Sequence, residues 1–79
     1  MHTLTLYHRA GCHLCDDMLQ ELERMGPDVG FVISRVDIDA DPALARRFNE
    51  KIPVLALGED IICCHRLDER VLRQALSDG

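Results

Sequence analysis

The sequence predicts an α/β domain with the element order β-α-β-α-β-β-α. Three observations carry that prediction. Short apolar or alternating runs interleave with longer runs whose apolar residues recur at helical spacing. Breaks rich in Gly, Pro and Asp separate them. The last two apolar runs are joined only by Gly58-Glu59-Asp60, too short a link for anything but an antiparallel hairpin. The first half reads as a βαβ unit with a right-handed crossover, the second as a hairpin with a covering helix. A chain of 79 residues has room for one domain, taken as residues 1–79.

Thr3 to Tyr7 alternates as a strand, with Leu4 and Leu6 on one face and Thr3, Thr5 and Tyr7 on the other. It breaks at Ala10-Gly11. Leu14, Met18, Leu22 and Met25 then mark one face of a helix, with Leu19 beside them. Gly26-Pro27 is expected to end it, because proline disfavours helical geometry just before it. Phe31 to Ile38 is the second strand, apolar on both faces at first, as suits a strand covered on both sides. Asp41-Pro42 reads as a cap followed by proline in the first helical turn, and Leu44, Ala45 and Phe48 form that helix's buried face. Pro53 opens a strand through Leu57, and Ile61 to Cys64 returns beside it. The last helix carries Leu67, Val71, Leu72, Ala75 and Leu76 on one stripe, with Asp68 and Glu69 at its positive start.

Composition excludes several functions. A hydrophobic share of 47 % with 29 % charged residues is globular, not disordered. Nine Lys and Arg against 14 Asp and Glu leave a net charge of −5, with the cations scattered, which argues against nucleic acid as a partner. An apolar run such as Val54–Leu57 falls far short of the ~20 residues a membrane helix needs. No basic stretch leads into an apolar one at Met1-His2-Thr3, so the expected location is cytoplasmic.

The four cysteines therefore point to redox chemistry or metal rather than to a secreted disulfide framework. Cys12 and Cys15 form a C-x-x-C, whereas Cys63 and Cys64 are adjacent, so the second knuckle of a zinc ribbon is missing. The C-x-x-C sits where a strand gives way to a helix. Unpaired N–H groups and the positive end of the helix dipole favour thiolate there. Cys12 is expected on the exposed loop and Cys15 one turn further in, partly shielded beside Leu19. An exposed nucleophile with a resolving thiol beside it is what disulfide exchange requires. Arg9 and a protonated His13 would lower the Cys12 pKa, while Asp16 and Asp17 act the other way; the net expectation is a lowered value. The competing readings are two buried small hydrophobes, or half of a metal site. Adjacent strand residues point to opposite faces, so Cys63 and Cys64 read as one buried thiol and one incidental one. His8 and His65 read as surface or edge residues that could both lie near the site.

The strand, the C-x-x-C opening a helix, Ile52-Pro53-Val54 and the element order together resemble the thioredoxin superfamily, in its glutaredoxin-like branch. The resemblance implies a four-stranded mixed sheet flanked by helices, with dithiol–disulfide exchange at the sheet's edge. It makes Cys12 the nucleophile, Cys15 the resolving cysteine and Pro53 a cis-proline facing the disulfide. Arg9 matches a basic residue near the carboxylate of glutathione. Ile52, beside Pro53, and His13 complete the expected substrate-binding set. There are departures as well. His13-Leu14 stands where glutaredoxins hold Pro-Tyr, and Cys63-Cys64 and Arg66 stand where they carry two glycines and a small or acidic residue. Side chains there obstruct a ligand's approach to the backbone, and arginine cannot accept a hydrogen bond from an ammonium group. These departures count against glutathione as a partner.

The expected function is a monomeric thiol–disulfide oxidoreductase acting on disulfide-containing proteins or small thiols, with no metal or organic cofactor. Two alternatives stand beside it. One is a metal or iron–sulfur module held by Cys12 and Cys15, with Cys64 and His65 as candidate further ligands. The other is a binding module that keeps the fold without turnover.

Overall fold

The computed structural model describes residues 2–78. Its elements are β1 (His2–His8), α1 (His13–Val29), β2 (Phe31–Asp37), a single 3₁₀ turn (Ile38–Ala40), α2 (Pro42–Phe48), β3 (Val54–Leu57), β4 (Asp60–Cys64) and α3 (Glu69–Asp78). The strands form one mixed sheet in the order β2-β1-β3-β4. β1 and β2 are parallel, from His2 opposite Phe31 to His8 opposite Asp37. β3 is antiparallel to β1 and to β4. The ends of β1 and β4 and the start of β3 therefore lie at one edge of the sheet. That edge carries the site.

Pleating sorts the apolar residues onto two faces. Leu4, Leu6 and Leu55 pack with Met18 and Leu22 of α1 and Leu72 and Leu76 of α3. Val54 packs on the other face with Ile38 and Phe48, flanked by Tyr7, Leu44, Ile52 and Cys64. Among the described residues no polar or charged side chain is buried. Asp41 caps α2, its Oδ1 accepting from the Ala43 N–H at 2.9 Å, with Pro42 in the first turn. Asp68 likewise accepts from the Val71 N–H at the start of α3, at 3.1 Å. A bulge between β3 and β4 pairs Leu55 with Cys63 and Ala56 with Ile61. The extra residue lets Ile62 and Cys63 both pack on the α1/α3 face and sends Cys64 to the α2 face.

The structure corrects the sequence expectation in several places. α1 does not stop at Gly26-Pro27 but runs to Val29, closing on Gly30 with φ 77° and its N–H donating to the Gly26 carbonyl at 2.9 Å. Gly26 lacks a Cβ, which lessens the steric conflict that a residue before proline meets in a helix. The extra turn also lets Met25 and Val29 pack against the core cluster. β2 is not covered on both sides: it is an edge strand, and Val32 is 47 % exposed. Ile38 leaves the strand for the 3₁₀ turn, which Asp37 caps, and is buried on the α2 face. Leu14 and Val71 are exposed, at 39 % and 41 %. The buried stripe of α1 begins at Cys15 and continues through Met18 and Leu22.

Candidate functional site

β1 ends at His8, and the chain turns sharply before α1 begins. Cys12 donates its N–H to the Arg9 carbonyl at 3.3 Å, closing a four-residue turn with Gly11 at φ 76° in its third place. That conformation suits glycine, and a turn of this kind calls for it there. Cys12 is the N-cap of α1, and its Sγ accepts the Cys15 N–H at 3.2 Å. A sulfur in that position satisfies one of the helix's free N–H groups and meets the positive end of its dipole. Cys12 is half-buried, Cys15 only 3 % exposed. The two are joined as a disulfide, their Cα atoms 5.2 Å apart.

The predicted neighbours divide. His13 is exposed on the first turn of α1 and makes no side-chain bond. Arg9 is committed elsewhere: it donates to both Asp39 carboxylate oxygens at 2.8 and 3.0 Å and to Asn49 Oδ1 at 2.8 Å. The hydrogen bond from Arg9 holds the Asp39 carboxyl below its ordinary value, and the same bond raises Arg9. Much of the positive charge expected beside Cys12 is thus answered by Asp39. Pro53 is buried at the head of β3, and the Ile52–Pro53 peptide bond is cis. Ile52 donates its N–H to the Phe48 carbonyl at 3.2 Å and packs on the α2 face.

Two grooves flank the disulfide. One has Leu14, Asp17 and Glu21 along α1 and His65, Arg66 and Leu67 opposite. The other has Cys15 in its wall, with His8, Arg9, Asp16 and Arg35. Cys63 and Cys64 take no part in the pair. They face opposite sides of the sheet, and burial pushes the Cys63 thiol up. Among the described residues no three His, Cys, Asp or Glu side chains gather as a metal site would require.

Residues 3–77 match the family described as "Glutaredoxin-like domain (DUF836)". The chain belongs to that family. This glutaredoxin-like chain is also similar to two solved structures. The solution structure of protein Ne2328 from Nitrosomonas europaea superposes with a TM-score of 0.84 at 34 % identity, covering 94 % of this chain and 89 % of that one. The X-ray structure of protein XcR50 from X. campestris gives 0.70 at 33 % identity, covering 96 % and 97 %. An uncharacterized protein of Mycobacterium tuberculosis is 29 % identical over 73 residues, spanning 86 % of this chain and 75 % of its own length. One from Mycobacterium bovis matches to the same extent. The four-stranded mixed sheet with three helices is the thioredoxin-like arrangement that the resemblance implied.

Within this glutaredoxin-like frame, sequence reasoning missed Asp39, Asn49 and Glu50, which meet the site only through folding. It read His65 as a surface or edge residue that could lie near the site, and His65 is exposed where β4 ends. His65 has φ 68°, its N–H donates to the Pro53 carbonyl at 2.8 Å, and its ring Nε2 lies 2.7 Å from the Glu50 carbonyl. Cys63 and Cys64 lie within β4, and the left-handed backbone that suits glycine falls on His65, between them and Arg66.

Proposed function

We propose that this chain is a thiol–disulfide oxidoreductase that works through Cys12 and Cys15. The observation that carries the reading is the asymmetry of the pair. One sulfur is reachable at a helix N-terminus and accepts a backbone N–H, and its partner is buried one turn further in. The helix end and that hydrogen bond both favour the Cys12 thiolate. In the reduced protein this thiolate attacks one sulfur of a substrate disulfide. A Cys12–substrate disulfide forms, and the other substrate sulfur leaves as a thiolate and takes up a proton. Cys15 then loses its proton and attacks Cys12 Sγ. The mixed disulfide breaks, the second substrate thiol leaves, and Cys12–Cys15 closes. Two electrons have passed to the substrate, and a reduced thiol or dithiol must return them.

The groove holding Cys15 with His8 and Asp16 is the route by which its proton can depart. The Ile52 N–H is already used within the fold, so the backbone group available to an extended substrate segment is the Ile52 carbonyl. His13 and Leu14, exposed between the cysteines, would meet the substrate next. Arg9 would bind a substrate carboxylate only in competition with Asp39.

The test is reduction of a disulfide peptide by the dithiol form, with Cys12→Ser and Cys15→Ser beside the wild type. Wild-type turnover, loss of all activity in Cys12→Ser and accumulation of a mixed disulfide in Cys15→Ser are expected. Cys12 should also be alkylated before Cys15. No turnover in the wild type would leave a binding module on the same fold, and faster alkylation of Cys15 would reverse the two roles.

A further inference from the structure

His65 is the one described non-glycine residue with positive φ, and it stands where β4 leaves the sheet. The Arg66 N–H donates across it to the Cys64 carbonyl at 2.7 Å, which makes His65 the centre of a tight γ-turn. With φ at 68° that turn is of the rare, strained kind. Glycine would adopt it without cost, so a histidine there calls for a compensating interaction. Two hydrogen bonds supply it. The His65 backbone N–H donates to the Pro53 carbonyl at 2.8 Å, and ring Nε2 lies 2.7 Å from the Glu50 carbonyl. A carbonyl can only accept, so Nε2 carries the proton. The two bonds grip the chain on either side of Lys51-Ile52. The same residue lines the groove opposite Leu14, the exposed residue between the two cysteines.

We propose that His65 is a positioning residue: it clamps the Glu50–Pro53 segment from both ends and so fixes the Ile52 carbonyl where a substrate segment must pair. This role rests on the oxidoreductase reading above. In this role the imidazole acts on the Glu50 carbonyl and not on the sulfurs. It acts through the loop, and a loop held in its bound conformation loses less freedom on binding.

The test compares the full-length wild type with His65→Gly and His65→Gln in reduction of a disulfide peptide. Glycine keeps the left-handed turn and the backbone N–H but deletes the ring, while glutamine retains an N–H donor of similar reach. His65→Gly should raise KM about threefold to tenfold, as one lost hydrogen bond predicts, with most of the loss in KM rather than kcat. The Lys51 and Ile52 amides, both bonded to the Phe48 carbonyl, should exchange with solvent faster in that variant. His65→Gln should recover both. Nitrogen NMR of the wild-type ring should show Nε2 protonated. A KM unchanged in His65→Gly, beside a wild type that does turn over, would overturn the role of His65 alone, as would a bare Nε2. A wild type without turnover would overturn the parent reading and this role with it.

Discussion

Cys12 and Cys15 lie within one turn of the same helix, yet one is half-exposed and the other 3 % exposed. Cys12 caps the helix, while Cys15 begins the stripe that continues through Met18 and Leu22 into the core. The C-x-x-C spacing at the start of a helix made that division foreseeable. The fate of Arg9 was not, because Asp39 and Asn49 lie 30 and 40 residues away along the chain. The Asp39 carboxyl is held down chiefly by its hydrogen bond from Arg9, so it binds its proton more weakly folded than unfolded. Its contribution to stability is therefore complete above the ordinary value of 3.8 and is lost as pH falls through the lower folded value. Urea unfolding of wild type and Asp39→Asn should show the variant less stable at neutral pH. The gap should narrow below that value, where the wild-type carboxyl is protonated too. A gap that persisted unchanged into acid would mean that the charge on Asp39 is not what stabilises the fold.

Elements were legible where local chemistry decides them. Asp41-Pro42 and Asp68 announce helix starts, because their oxygens satisfy N–H groups within the next three residues. The end of α1 was misread because the clash that disfavours helix before a proline is smaller when that residue is Gly26, without a Cβ. The true terminus is Gly30, whose φ of 77° costs a side-chain-bearing residue about 1–2 kcal/mol. Beyond its chain neighbours, no atom of the described residues stands within 4 Å of where a Gly30 Cβ would lie, so Gly30→Ala should lose about that much stability through the backbone alone. Chemical denaturation would read it as a lower midpoint at unchanged slope. A midpoint equal to the wild type's would show that the helix ends elsewhere.

At the scale of the whole molecule, the topology gathers Cys12, Pro53 and the β4–α3 loop at one sheet edge. Glutathione should be a poor partner there. His65 stands at the left-handed position where a glycine would leave room, and Arg66 lines the groove beside Leu14. Arginine repels an ammonium group that an acidic residue would bind. An assay coupling the wild type to glutathione and glutathione reductase should give slow turnover of a disulfide substrate, well below turnover with a dithiol donor. Equal rates with the two donors would show that His65 and Arg66 do not keep the tripeptide out.

The element order, the C-x-x-C at a helix start and the hairpin were determined by the sequence itself. Each depends on periodicity, capping or turn length, which are properties of neighbouring residues. Only the tertiary structure decided which apolar residues are covered. The runs in β2 and α3 look continuous, but an edge strand leaves Val32 exposed, and α3 leaves Val71 at the surface. It also decided that Arg9 binds Asp39 and that His65 holds the loop before Pro53, fifteen residues back at Glu50. Such contacts arise when strands distant in sequence are brought to one edge, and no local pattern encodes which side chains meet there.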